Sequence, residues 1–266
     1  MISIIGLLAS IVLVSLVSVR DKAKIAGGFQ FDASVHHAMG AYAVGLWDFN
    51  EGSGTIANDY SGYGRHGTLE GFLGNPWVTD TPSGKGYALR FDGADDAVSF
   101  TSVSQSRITI SAWVYLDPGG ASDYPRIVVM PGYYIVIDRG VGDEEDVFEF
   151  SAQKGASCSQ WATPIRTIRN NYWYHVAASY DSSSFDNVPT LYVNGTSQEA
   201  IPLILRDYPQ VDNAGTGYIG NNETKTEPCY GIIDDVRIYE EILSSAQIKK
   251  LYAEGLSKNN LAQNNE

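Results

Sequence analysis

The sequence predicts an all-β, antiparallel sandwich preceded by one long hydrophobic helix. Two observations carry the sandwich and one carries the helix. From Gly45 onward apolar residues recur at every second position in short runs, as Ile108, Ile110, Ala112, Val114 and Leu116 do in "ITISAWVYL", the period of a strand with one buried face. Turn signals separate these runs at short intervals, and no helical pattern between them is long enough for a crossover helix, so the pairing is antiparallel. At the start, Met1 to Val19 carries no charge and is followed at once by Arg20, Asp21, Lys22 and Lys24.

Composition points the same way. The chain has 266 residues with 27 glycines and 17 tyrosines, a content that suits strands and tight turns in one large domain with an appendage. Its formal charge is −13, and residues 1–24 hold three of its 18 basic but one of its 31 acidic residues, so the remainder is more acidic still. Such a surface repels a phosphate backbone, which excludes nucleic acid as a partner.

Residues 1–19 would span roughly 28 Å as a helix, close to the ~30 Å of a bilayer core. This is the expected transmembrane segment, with membrane lipid as its partner. A secretory signal would need a basic start and a small-x-small cleavage site, and "SLVSVRD" offers neither. Because the basic residues follow the span, the positive-inside bias would hold the domain in the cytoplasm unless further basic residues precede Met1. Residues 20–44 continue as a helical stalk or linker, with Ile25, Phe29, Val35 and Met39 near helical spacing and Gly27 and Gly28 weakening it. His36 and His37 have no further ligand at fixed spacing and read as ordinary helix residues.

The sandwich occupies residues 45–255. Near its end Ser244 and Gln247 form a capping box, Ile248, Leu251 and Tyr252 give one apolar stripe, and Gly255 suits the C′ stop of a short helix. Residues 256–266 are too polar to pack and read as a disordered tail.

Several residues are candidates for function. Cys158 and Cys229 would pair in an exported protein, if their Cα atoms come within bridging distance. In "IDDVRIY" Asp234 shares the parity of Val236 and Ile238, so a strict two-residue period drives its carboxylate toward the core. Two readings follow: a buried carboxylate tied to Arg90 or a loop amide, or a calcium ligand. In the second, Asp92, Asp95 and Asp96 of "FDGADD" or Asp48 and Asp59 join it, an oxygen-rich, sulfur-poor set that suits Ca2+. Tyr124, Tyr133, Tyr134, Trp161 and Tyr172 lie in or near turn-like segments and are candidates to stack on sugar faces. Trp47 and Trp173 belong to the scaffold.

Quoted in order, "GLWDFNEGSGTIANDYSGYGRHGTL", "ALRFDGADDAVSF", "ITISAWVYL", "WYHVAASYD", "PTLYVNGT", "GYIGNN" and "GIIDDVRIYEEILSSAQIKKLY" resemble the laminin G-like, concanavalin A-like jelly roll over residues 45–255. The resemblance implies two curved sheets with the first and last strands adjacent, a calcium ion in many members, and loops or a sheet face that bind glycans or proteins. The opening "ISIIGLLASIVLVSLVSVRDKAKIAGG" resembles the first helix of type IV pilins and pseudopilins, which implies pilin-like subunits as further partners. The basic leader and the glutamate of that family are not in this stretch, so the resemblance implies either a start upstream of Met1 or a plain anchor.

"DEEDVFEF" offers Glu144, Asp146 and Glu149, whose spacing resembles the catalytic strand of laminarinase-like retaining glycosidases. Glu145 stands where that strand has an apolar residue, and the stretch reads as an acidic hairpin tip. The expectation is therefore a non-catalytic, membrane-anchored module displayed outside a bacterial cell for adhesion or carbohydrate recognition. The alternatives are a minor structural subunit of a pilus or pseudopilus and, with least support, a surface glycosidase.

Overall fold

A computed structural model of the chain describes residues 40, 42–102, 105–139, 146–154, 157–184, 186–205 and 215–257. The expected membrane helix, His36 and His37, Glu144 and residues 258–266 lie outside the described residues. Among the described residues no helix is long and apolar enough to cross a membrane. The chain divides after Ala41, and the unit from Tyr42 onward is two antiparallel sheets.

The first sheet runs β14 (Thr196–Gln198), β13 (Thr190–Val193), β12 (Trp173–Asp181), β7 (Arg107–Leu116), β17 (Tyr230–Tyr239), β5 (Ala88–Asp92) and β4 (Trp77–Val78). The opening strand β1 (Ala43–Trp47) also pairs with β17, so the first and last strands are adjacent. β1 already includes Ala43 and Val44, which sequence pattern places in the stalk. The second sheet runs β15 (Ile201–Ile204), β11 (Ser157–Ala162), β10 (Val147–Lys154), β9 (Tyr133–Asp138), β8 (Arg126–Met130), β16 (Thr216–Ile219), β6 (Ala97–Thr101), β3 (Gly67–Glu70) and β2 (Ile56–Ala57).

The core lies between the sheets and obeys the two-residue period. β7 gives it Ile108, Ile110, Ala112, Val114 and Leu116, β9 gives Tyr133, Ile135 and Ile137, and β10 gives Phe148 and Phe150. Each buried aliphatic side chain of this kind stabilises the fold by roughly 1.5–3 kcal/mol relative to exposure. Trp161 and Tyr180 meet at 5.5 Å between ring centroids inside the same layer.

The period fails where bulges interrupt a strand: in β8, where consecutive Ile127 and Val128 both join the core, and in β17. Ile233 and Val236 both face the core, and the pairing with β7 shifts register between Asp234 and Arg237. Asp235 sits in the left-handed region at φ 48°, where a short polar side chain is best tolerated. This bulge reverses the parity on which the inward reading of Asp234 rests. Asp234 instead lies opposite Trp113, on the outer face of the first sheet.

The helix α1 (Ser245–Ser257) packs on that outer face. Its capping box forms as expected: the Ser244 N–H donates to Gln247 Oε1 at 2.8 Å and the Gln247 N–H to Ser244 Oγ at 3.4 Å. Gly255 is not the stop, because the helix continues to Ser257. A Cβ at Gly255 would lie 2.0 Å from Trp113 Nε1, so glycine is there to let the helix approach the indole.

Beneath α1, His175 is packed against Trp113 and Tyr252, with ring centroids 5.4 and 6.2 Å away. Burial pushes its pKa down to about 3, against the pull of the Asp235 carboxylate, while Arg237 adds to the depression. The folded state therefore holds a neutral imidazole that the unfolded chain protonates below ~6.5. The resulting stability is present above pH 6.5 and is lost as pH falls from there toward 3, the loss reaching about 2 kcal/mol by pH 5. His175→Phe is expected to remove this slope in urea unfolding measured across that range. An unchanged slope would contradict the assignment.

Candidate functional site

Two groups of polar residues stand out, one at a hairpin tip and one across a sheet. The tip joins β5 to β6. Gly93, at φ 79°, turns the chain, the Ala94 N–H donates to Asp92 Oδ1 at 2.9 Å, and the Asp92 N–H donates to Asp96 Oδ2 at 2.9 Å. The turn brings one carboxylate oxygen from each of Asp92, Asp95 and Asp96 within 4.8 Å of one another.

Asp92 and Asp95 are exposed, but Asp96 is 3% exposed and its Oδ1 is buried with no hydrogen-bond partner among the described residues. Burial raises the Asp96 carboxyl to about 6, against the hydrogen bond from the Asp92 amide, and the charges of Asp92 and Asp95 push it further. A buried anion oxygen without a donor is costly unless a cation meets it. The donor set is all oxygen and fits a hard divalent cation.

The other expected ligands are not part of this group. Asp59 is committed elsewhere, accepting the N–H groups of Leu46, Ser61 and Arg65 and the Ser61 hydroxyl at 2.8–3.0 Å. Burial alone would raise its pKa, but these donors outweigh that and hold it below the usual carboxylate value. Asp59 is thus a clamp for the "NDYSGYGRHG" loop. Asp48 accepts the Asn50 N–H at 3.3 Å, and Asp234 lies on the outer face of the first sheet. Cys158 and Cys229 are both free. Cys158 lies on β11, whereas Cys229 precedes β17, buried with its N–H on the Gly220 carbonyl, so the expected disulfide does not form.

The aromatic candidates divide by strand parity. Tyr133 and Trp161 point into the core and offer no stacking face; the Tyr133 hydroxyl is spent on the Gln105 carbonyl at 2.6 Å. Tyr124 and Tyr172 are exposed, on turns leading into β8 and β12 of opposite sheets. Tyr134 has the outward parity of the second sheet but is only 9% exposed, with the Arg126 guanidinium over its ring.

Around Tyr134 the register aligns one residue from each of the nine strands: Ile204, Gln160, Ser151, Tyr134, Val129, Tyr218, Ser99, Thr68 and Ile56. At the usual strand spacing this row is ~38 Å long. The Arg126 guanidinium lies 4.3 Å from the Tyr134 ring centroid and is ion-paired through Nε with Glu227. Gln160 Nε2 donates to the Tyr134 hydroxyl at 3.3 Å. Lys225 repeats the arrangement, with Nζ 4.9 Å from the Tyr218 ring centroid and 3.0 Å from Glu70 Oε2. Glu149 stands beside the row and accepts the Ser151 hydroxyl at 3.0 Å. Burial raises the Glu149 carboxyl, partly offset by that hydrogen bond.

Asn221 connects the tip to this face. Fully buried, it directs Nδ2 toward the carbonyls of Asp96 (3.3 Å) and Ala94 (3.5 Å). Its Oδ1 accepts the N–H groups of Asn222 (2.9 Å) and Glu227 (3.2 Å). Arg126 opens β8, whereas Asn221, Lys225 and Glu227 share the loop between β16 and β17; they escape a reading of motifs because their partners Asp96, Glu70 and Arg126 lie far away along the chain. The parity of "VFEFSAQ" and "YYIVID" does separate Glu149, Ser151 and Tyr134 from their inward neighbours.

Known proteins place this geometry in context. No curated protein matches the sequence. Among solved structures, the binding domain of botulinum neurotoxin serotype D is similar at 15% identity, TM-score 0.61, over 81% of this chain and 52% of that one. The chain thus spans about half the length of that neurotoxin domain. Domain 4 of AbnA, an extracellular arabinanase from Geobacillus stearothermophilus solved in complex with arabinotriose, is similar at 20% identity, TM-score 0.57, over 80% of this chain and 98% of that one. A serotype D ligand binding domain in complex with N-acetylneuraminic acid has 16% identity and TM-score 0.58, over 82% and 52% of the two chains. These likenesses concern the fold. The family model that matches residues 92–249 spans the acidic tip, most of the second sheet and the start of α1, and by that match the chain belongs to the concanavalin A-like lectin/glucanases superfamily.

Proposed function

We propose that this protein is a non-catalytic carbohydrate-recognition module, held at the outer side of a bacterial membrane by residues 1–19 and stabilised by Ca2+ at Asp92, Asp95 and Asp96. The observation that carries recognition is the outward row on the second sheet. There Gln160, Ser99, Thr68 and the half-buried Tyr218 stand on rigid strands, while Tyr134 and Ser151 are buried; such groups give hydroxyl-rich ligands directed hydrogen bonds and ring contacts. Arabinotriose and N-acetylneuraminic acid, the partners in two of the similar structures, are sugars, and the neurotoxin likenesses are to binding domains. The orphaned Asp96 oxygen carries the cation.

The test uses the full chain in a neutral detergent on a glycan array, with Ca2+ and with EDTA. Binding to sugars is expected, and its loss in EDTA is expected with it. Saturating Ca2+ at about 100 times its dissociation constant should raise unfolding free energy by about 2.7 kcal/mol, an increment that Asp96→Asn removes. Silence across the array from a folded protein would sink the recognition reading and favour a structural role in a pilus or pseudopilus. Indifference of the unfolding transition to Ca2+ would sink the metal assignment alone.

A further inference from the structure

The charges on the recognition face point to the class of sugar it takes. This inference rests on the recognition reading proposed above and goes on to choose within it. Both cations that stand over the tyrosines are already neutralised: Arg126 by Glu227 and Lys225 by Glu70. Asn222 Nδ2 reinforces the first pair, donating to Glu227 Oε2 at 3.2 Å. Glu149 adds a third carboxylate nearby, buried at 3% exposure and accepting a serine hydroxyl, so it acts on a ligand only through its field. Around the two tyrosines the acids thus outnumber the bases, on a chain whose net charge is −13.

We infer that the ligand of this face is a neutral oligosaccharide and that glycans bearing a carboxylate are excluded. A sugar hydroxyl suits a paired cation and carboxylate because it accepts from one and donates to the other without disturbing their charge balance. A uronate or sialic acid carboxylate would need a guanidinium or ammonium to itself. Here it would have to displace Glu227 or Glu70, or lie unpaired beside them, and like-charge juxtaposition is a strong discriminator. The length of the row agrees with an extended chain: at ~38 Å across nine strands it exceeds what one sugar ring can cover.

The experiment compares matched pairs by calorimetry with the full chain in neutral detergent. The pairs are galactotriose with trigalacturonate, and N-acetyllactosamine with its sialylated form; arabinotriose is a further neutral probe. The neutral member of any pair that binds is expected to bind at least about tenfold more tightly, a gap that narrows at high salt. Glu227→Gln, which frees Arg126, is expected to raise affinity for the acidic member about tenfold. Glu70→Gln serves as a second variant at a more exposed position, 41% accessible, should the first fail to fold.

An acidic member that binds as tightly as its neutral partner would overturn the inference. So would two folded variants that leave the preference unchanged. Failure of every probe, neutral and acidic, from a protein that is folded would remove the recognition reading itself, an outcome distinct from a reversed preference.

Discussion

Arg237→Leu is expected to lower the unfolding free energy by about 3–5 kcal/mol, a large share of the stability that a domain of this kind commands. Arg237 extends from β17 beneath α1 and holds Asp235 with two hydrogen bonds, Nε to Oδ1 at 3.0 Å and Nη2 to Oδ2 at 2.9 Å. Its Nη1 reaches Glu254 on the helix at 3.4 Å. Asp235 is 3% exposed. With the guanidinium gone, its charge would remain in a low-dielectric site and α1 would lose an electrostatic tie to the sheet. Adding Asp235→Asn to the leucine variant is expected to recover part of the loss, because an amide tolerates both the burial and the left-handed backbone at φ 48°. Chemical unfolding of the single and double variants checks this, and a single-variant loss under about 1 kcal/mol would contradict the role given to the pair.

Asn221→Leu is expected to damage the cation tip and the recognition face together. The side chain is fully buried and serves the Asp96 and Ala94 carbonyls on one side and the Asn222 and Glu227 amides on the other. Leucine is close to it in size but leaves the two amides and the Asp96 carbonyl without their partner. At about 1–3 kcal/mol for each buried group left unsatisfied, partly relieved by local adjustment, a loss on the order of 3 kcal/mol follows. Because Glu227 positions Arg126 over Tyr134, sugar affinity should fall as well. The telling measurement is the effect of Ca2+ on sugar binding in the variant at temperatures where it is folded. If that effect persists at full size, Asn221 does not link the two sites.

Much of the scaffold is legible in the sequence. The two-residue period assigns the inward faces of β7, β9 and β10, and the spacing of Ser244 and Gln247 assigns the start of α1, because both depend on neighbours close along the chain. Gly255 shows the limit of that logic: its place near a helix end suggests a stop, whereas the constraint is the indole of Trp113 on a distant strand. Asp234 shows another limit. One residue of bulge, placed by the pairing of β17 with β7, turns an inward carboxylate outward.

The candidate sites divide along the same line. Asp92, Asp95 and Asp96 are within five positions of one another, so a single turn gathers them and the sequence alone marks the group. Asp48 and Asp59 carry the same chemistry and are in nearby loops, yet loop geometry commits Asp59 to four donors of its own. Tyr133 and Tyr134 are consecutive and identical in type, and parity sends one into the core and the other to the outer face. What the chain by itself determined was the alternation, the turns, the acidic balance and the acidic tip. Only the tertiary structure decided which nine residues share one row, which carboxylates neutralise Arg126 and Lys225, and that Asn221 joins tip to face. The physical reason is that these contacts join strands far apart in sequence, and their partners are fixed by register and bulges, which no local pattern encodes.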